Sequence, residues 1–345
     1  MTINFRWKQD FTKGFLIAIL IILIKPQIFA QVVDYPLTPT TNVDFSSLKK
    51  DFYAVPDEYK LRVWWFWMNG VATKKSITRD LEAMNDKGVG GALIVDNGMD
   101  YGPVGPTFMS KKWKGLFAHA VKEADRLGIE LSVNIQSGCG DPGNPNIQPD
   151  NSIKKIVSSE TQVNGPGKIE KKLPLPSSKL YYKDIQLQAV RTDTDHDDTD
   201  KPTVDTDHII DLNDHFTDGV LTWEVPPGRW TVIRYGMTST GKRNNYASPG
   251  YKGGLCYDQM NPRGIKAHWN EVARPLIDTA KASGNSLKFV HTDSWEMGMT
   301  NWTHGFMEEF EKRRGYDMKP YLPVLADEVV KNQEISKRFR EDFRQ

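Results

Sequence analysis

Short apolar runs alternate with amphipathic stretches over residues 62–135, and that alternation restricts the chain to folds built around a parallel sheet. Arg62-Val63-Trp64-Trp65-Phe66-Trp67-Met68 is aromatic-rich and closes at the turn signal Asn69-Gly70, so a strand is predicted there. From Lys74 to Lys87, Ile77, Leu81 and Met84 recur at helical spacing, and Gly88 offers a C-terminal stop. Gly91 to Val95 reads as a second strand that ends at Asp96-Asn97-Gly98. Ser110 to Leu127 reads as a second helix, with Trp113, Phe117, Ala120, Val121 and Ala124 on one broad face and Gly128 behind it. Ile129 to Ile135 is a third strand. A doubly wound sheet and a (β/α)8 barrel both have this rhythm. No Gly-x-Gly-x-x-Gly follows the first strand, which lowers the dinucleotide-binding option. The strand ends run instead into polar, Gly-rich loops, the last being Gln136-Ser137-Gly138-Cys139-Gly140-Asp141, and a barrel builds its site from such loops.

The rhythm breaks between Asn151 and Cys256. Asp184 to Val190 alternates with period two, and Leu221 to Val225 is joined by Pro226-Pro227-Gly228 to Arg229 to Tyr235, which predicts antiparallel hairpins. The acidic run Asp193 to Asp200 lacks the central Gly and terminal Glu of an EF-hand and reads as a solvated loop. Helix then returns over Pro262 to Ala282, with a bend expected at Pro275. Leu287 to Asp293 is a fourth strand, Thr300 to Arg314 a helix, and the chain stops inside a further helical pattern. The predicted fold class is therefore α/β: the N-terminal half of a (β/α)8 barrel with an inserted antiparallel β-sandwich-like domain. The expected plan is barrel over 55–150, insertion over 151–256 and barrel again over 257–345, incomplete at the C-terminus.

Ahead of this lies Arg6, Lys8 and Lys13, then the apolar run Phe15 to Ile24 and the small-residue end at Ala30, the order of a cleavable signal peptide over 1–30. The run is too short to span a bilayer as a helix, so the expected protein is secreted or periplasmic with no membrane anchor. Residues 31–54 read as an extended leader. Forty-five Lys and Arg against 44 Asp and Glu leave a formal charge of +1, which disfavours nucleic acid as a partner. Ten Trp suit carbohydrate stacking. Cys139 and Cys256 have no zinc spacing and read as free thiols.

Polar residues at the carboxyl ends of barrel strands face a common mouth. Glu296 follows the fourth strand beside Trp295, an arrangement suited to a partly desolvated general acid or, equally, to a loop salt bridge. His291 and Asp293 share one face of that strand, and Trp67 with Asn69 at the first strand end, or Asn134 and Gln136 at the third, are suited to stacking on and hydrogen-bonding a sugar.

These runs resemble the catalytic region of the α-L-rhamnosidases of glycoside hydrolase family 106. The likeness lies in Arg62 to Trp67, Thr73 to Met84 and Gly88 to Gly91, then in Pro149 to Lys155 and the Trp-Glu-Val-Pro-Pro-Gly-Arg-Trp segment from Trp223 to Trp230. It continues in Asp293-Ser294-Trp295-Glu296 and Arg313-Arg314-Gly315-Tyr316-Asp317. The resemblance implies inverting hydrolysis of terminal α-L-rhamnosides, with Glu296 as general acid and the second carboxylate beyond Gln345. It also implies calcium at the site, for which Asp96, Asp293 and Asn134 are candidate ligands, the metal site itself being unknown. On that expectation the 345-residue chain alone is inactive. Another barrel glycosidase, β-galactosidase-like, and a catalytically silent carbohydrate-binding protein stay open.

Overall fold

The computed structural model describes residues 44–140, 142–192 and 203–345. The expected signal peptide and the acidic run Asp193 to Asp200 lie outside the described residues. The chain divides into two units at Pro56. In the first, part of the expected leader is helical instead: α1 (Phe45–Tyr53) is capped by Asp44, whose carboxylate accepts the Ser47 N–H at 2.7 Å.

The second unit begins with the expected alternation: β1 (Arg62–Met68), α2 (Lys74–Asp86), β2 (Gly91–Asn97), α3 (Lys111–Leu127) and β3 (Glu130–Asn134). Thr73 and Ser76 form a reciprocal cap at the start of α2, and Gly128 ends α3 in the left-handed conformation, φ 71°. A fourth parallel strand, β12 (Leu287–His291), pairs with β3, giving the order β1-β2-β3-β12. Trp65, Trp67, Ala92, Ile94, Leu131 and Val133 bury one face against α2, α3 and the stretch 272–280. The other face carries Trp64, Leu93, Ser132 and Phe289 in one row, and Phe66, Val95, Asn134 and His291 in the next, nearer the carboxyl ends. Edge strands of a flat four-stranded sheet stand about 14 Å apart. Here the rings of Trp64 and His291, on the two edges, meet edge-on at 5.7 Å, so the sheet curls and this face is concave. A cavity of about 300 Å³ lies on it, lined by Trp64, Leu93, Ser132, Phe289 and His291.

The chain then leaves the sheet through β4 (Gly143–Asn144), which pairs with β11 (Leu255–Cys256) and closes the neck of the insertion. Between them, β5 (Lys154–Lys172), β6 (Tyr182–Arg191), β7 (Thr203–Val204), β8 (Ile209–Asp211), β9 (Phe216–Thr217) and β10 (Val220–Ser239) are strands. All but β7 join one antiparallel sheet ordered β5-β10-β6-β8, with β9 beside β10. The expected hairpin at Pro226-Pro227-Gly228 is a bulge inside a single strand. The ladder shifts register between Val225 and Gly228, because prolines cannot donate to it, and then resumes. Seven residues of straight strand would separate Trp223 from Trp230 by about 23 Å. Their rings meet edge-on at 5.8 Å, so the ribbon folds across its bulge and packs on itself. One bent sheet thus stands in place of the sandwich-like pair expected.

After the neck, α4 (Pro262–His268) passes through a wide π turn, Trp269–Ala273, into α5 (Arg274–Lys281). The wide turn takes up the bend expected at Pro275, whose ring crowds the carbonyl four residues back. β12 stops at His291, two residues short of the expected strand, and 292–300 has no regular structure. Gly305 has φ 74°, so the next helix, α6 (Phe306–Arg314), starts six residues later than its periodicity suggested. From there the chain does not continue the parallel sheet. Trp302, Phe310, Met318, Leu322 and Phe339, the last on α7 (Gln333–Arg344), bury Val190, Ile233, Tyr235 and Met237 of the inserted sheet. β13 (Val329–Val330) pairs with β7 to fasten the two together. Among the described residues no helix is long and apolar enough to cross a membrane.

Candidate active site

The parity of β1 decides which of its four aromatics reach the concave face. Trp65 and Trp67 point to the helices. Trp67 is buried against Trp65 and Trp113, with ring centroids at 5.5 and 5.3 Å, and has no face open to a sugar. Trp64 and Phe66 take the concave side and are 49% and 46% exposed. Asn69 is also committed elsewhere: its Oδ1 accepts the Met99 N–H at 2.6 Å and its Nδ2 donates to the Tyr101 carbonyl at 3.2 Å, so it shapes the loop after β2.

Asp96 lies on the helix side of β2, opposite Trp67 in register. Buried, it accepts hydrogen bonds from the hydroxyls of Ser137 and Ser248, the latter at 2.6 Å, and from Trp113 Nε1 at 3.0 Å. Burial pushes its carboxyl pKa up and these three donors oppose the shift. The network joins three distant segments. Gly138 N–H donates to the Asp96 carbonyl at 2.7 Å, and Asn244 Nδ2 donates to the Ser137 carbonyl at 2.5 Å, so the loop after β3 is clamped from both sides.

Glu296 is fixed to the far end of that loop. Its N–H donates to the Gly140 carbonyl at 2.6 Å, and its Oε1 accepts the Ser294 hydroxyl at 3.0 Å. Gly140 has φ 83°, which favours glycine, and a Cβ there would lie 3.2 Å from the Glu296 carboxyl. Glu296 itself is exposed. The expected enclosure by Trp295 is absent, because the strand ends at His291 and the indole, 43% exposed, turns its edge to Tyr257 at 5.7 Å. Tyr257 in turn stacks on His268 at 4.4 Å, and His268 Nε2 donates to the Ile135 carbonyl at 2.9 Å. Burial drives the His268 pKa down to about 4, so the ring is neutral near pH 7 and braces the acid loop from behind.

The loop after β3 also carries Cys139, which forms no disulfide and faces Asp293. Burial first, then its hydrogen bond to Asp293 and the charges of Asp293 and Glu296, push its pKa up to about 12, so it stays a protonated donor. Asp293 also accepts the Ser294 N–H at 2.8 Å. On the concave face, Asn134 is buried with Nδ2 donating to the Gly138 carbonyl at 3.2 Å, while its Oδ1 has no partner. Gln136 is buried with both amide atoms unpartnered, and His291 Nε2 is likewise unpartnered. Buried amides without partners are uncommon. Glu296, Asp293, Gln136 and Asn134 thus lie at or just beyond the carboxyl ends of two adjoining strands, carboxyl groups following one and unpartnered amide atoms at the other.

The chain belongs to glycoside hydrolase family 106. The family model, described as alpha-L-rhamnosidase, matches residues 53–201 and 181–345. A curated protein of Formosa agariphila named "Putative beta-glucuronidase" is 35% identical over 330 residues, covering 87% of this chain and 28% of that one. The solved rhamnosidase from Novosphingobium sp. PP1Y has the same fold, with a TM-score of 0.77 at 22% identity over 86% of this chain and 44% of its own. The chain therefore spans less than half of either relative.

Sequence reasoning missed Ser137, Ser248, Trp113, Tyr257 and His268 as supports of the site. Ser137 and Cys139 were within reach, since both lie in the Gly-rich loop singled out after the third strand. Ser248 was not, being 152 residues from Asp96. A hollow of about 1010 Å³ lies beside His304, Phe306 and Arg313, and its two carboxylates, Glu309 and Asp342, are held by Arg313 and Arg314.

Proposed function

We propose that this chain is the acid-bearing half of a secreted, inverting α-L-rhamnosidase, folded as the first half of a (β/α)8 barrel. The observation that carries the reading is Glu296, tied through its N–H to Gly140, in the loop that leads from Asn134 and Gln136 with their unpartnered amide atoms at the carboxyl end of a curled parallel sheet. In this reading the Glu296 carboxyl donates its proton to the leaving oxygen. Ser294 aims the side chain, and Gln136 and Asn134 receive sugar hydroxyls. Inversion needs a second carboxyl group about 6.5–9.5 Å away to activate water on the opposite ring face. The reading places that group outside these 345 residues, so the chain by itself is expected to turn over no glycoside.

Calcium, implied by the family resemblance, has an incomplete donor set here. Among the described residues no group of three His, Cys, Asp or Glu side chains could hold a metal ion, and both oxygens of Asp96 are engaged in hydrogen bonds. Calcium also takes amide, carbonyl and water oxygens, which leaves Asn134 Oδ1 and Asp293 as the candidate ligands.

The test is Glu296→Gln in a polypeptide that includes the rest of the barrel. Loss of the acid should slow an unactivated rhamnoside by about 10² to 10⁴ and an aryl rhamnoside with a good leaving group far less. Full activity on the unactivated substrate would remove Glu296 from the acid role. The Formosa agariphila relative's name favours a uronic acid as second reading. Turnover of an aryl β-D-glucuronide in place of the rhamnoside would establish that alternative.

A further inference from the structure

The segment returning from the inserted domain passes over the strand ends with buried and exposed residues interleaved. Asn244, Ala247 and Ser248 are buried, and Tyr251 packs edge-on to Phe108 at 5.0 Å within the core of the parallel sheet. Tyr246 is the large aromatic of this stretch that is left exposed, at 53%. Its backbone is nevertheless fixed. The Tyr246 carbonyl accepts the Gly98 N–H at 2.7 Å, and its N–H donates to Asn244 Oδ1 at 3.1 Å. A Cβ on Gly138 would approach the Tyr246 carbonyl carbon to 2.5 Å, so the two backbones touch. Gly98 follows β2 and Gly138 follows β3, which seats Tyr246 on the loops of two adjacent strands.

Gly138 and Gly140 are two residues apart, a reach of at most about 7 Å. Gly140 contacts the Glu296 carboxyl. One short loop therefore carries an exposed aromatic residue at one end and the acid at the other. The insertion thus supplies an exposed tyrosine whose backbone is anchored on the carboxyl-end loops of the parallel sheet. An aromatic face is suited to the apolar face of a pyranose or to an aryl ring. The acid defines the side of the scissile bond where the leaving group lies, so a ring beside it adjoins that group rather than the sugar held deeper among Asn134 and Gln136.

We propose that Tyr246 is the aromatic platform for the leaving-side group, a second pyranose or an aryl aglycone, and that the inserted domain thereby sets which glycosides the site accepts. The proposal rests on the reading of Glu296 as general acid.

Calorimetric titration of the 345-residue protein with two probes tests it without any need for turnover. Methyl α-L-rhamnoside has no ring on the leaving side, whereas para-nitrophenyl α-L-rhamnoside has one. The native protein should bind the aryl glycoside more tightly. Tyr246→Ala should weaken that binding roughly five- to tenfold, the size of one stacking contact, and leave the methyl glycoside unchanged. Tyr246→Phe should retain the preference. Because the ring is exposed, an unchanged melting temperature should certify that Tyr246→Ala is folded. An aryl preference that survives Tyr246→Ala, or an equal loss for both probes in the folded variant, would overturn the platform. Binding of both probes by the native protein without preference would overturn the platform alone. Binding of neither would overturn the rhamnoside reading together with it.

Discussion

The parallel sheet and the inserted sheet meet their surroundings in opposite ways. The inserted sheet buries both faces: one against its own folded ribbon around Trp223 and Trp230, the other against Trp302, Phe310, Met318 and Phe339. The parallel sheet buries only its helix side. Its concave side leaves Trp64, Phe66 and Phe289 roughly half exposed and ends in amides without partners. A region packed on both faces is a scaffold, even though Gln188 Oε1 and the Tyr235 hydroxyl are buried in it without partners. One that leaves apolar rings and polar atoms open at the carboxyl ends of its strands has material to offer a ligand or further chain.

The largest effect that sharpens this contrast is within β1 and its neighbours. Trp113→Ala removes a buried ring packed on Phe108, Phe117 and Trp67 together with the donor to Asp96, and should cost about 3–5 kcal/mol in denaturant unfolding. Trp64→Ala on the concave face should cost under about 1 kcal/mol. Equal losses would show that the concave face is as well packed as the other.

Next is a pH effect at the brace behind the acid loop. His268 has a folded pKa of about 4, below its unfolded value near 6.5, so the folded state binds fewer protons. Its contribution is fully present above pH 6.5 and is lost as pH falls toward 4, amounting to about 3 kcal/mol. Unfolding free energies measured across that window should show the slope, and His268→Gln should remove it.

The strands and helices up to β3 were legible in the sequence because their signals are local: Ile77 and Leu81 four apart, then Gly88 and Gly128 where the chain must turn left-handed. Parity within Trp64-Trp65-Phe66-Trp67 was not legible, since four aromatics in succession give no alternation to read. Trp67 was placed at the mouth when Trp64 and Phe66 face it. Pro226-Pro227-Gly228 carries the composition of a hairpin turn, and only its pairing with β5 distinguishes a bulge. Of the site, the Asp293 to Glu296 strand end was legible as a polar cluster after a strand. The supports that hold it come from residues more than a hundred positions apart, which no local pattern encodes.

A smaller effect concerns Cys139. With its pKa pushed up to about 12, the thiol should alkylate slowly at pH 8, and Asp293→Asn, which removes a carboxylate acceptor and its charge, should speed the reaction several-fold. Mass spectrometry of the modified peptide reads this. An unchanged rate would separate Cys139 from Asp293. The smallest effect expected is none: calcium or a chelator should leave the melting temperature of this chain unmoved, since the described residues bring no three His, Cys, Asp or Glu side chains together around a metal. A rise of several degrees with calcium would place a metal site within it.

The central claim is that the carboxyl ends of the parallel sheet, and not the inserted sheet, receive the sugar. Nuclear magnetic resonance titration of the isotopically labelled chain with methyl α-L-rhamnoside tests it directly. The account predicts shifts clustered at Asn134, Gln136, Cys139, Gly140, Asp293 and Glu296, with the strands of the insertion silent. Shifts confined to the inserted sheet or to the hollow beside Arg313, with none at Glu296, would contradict it.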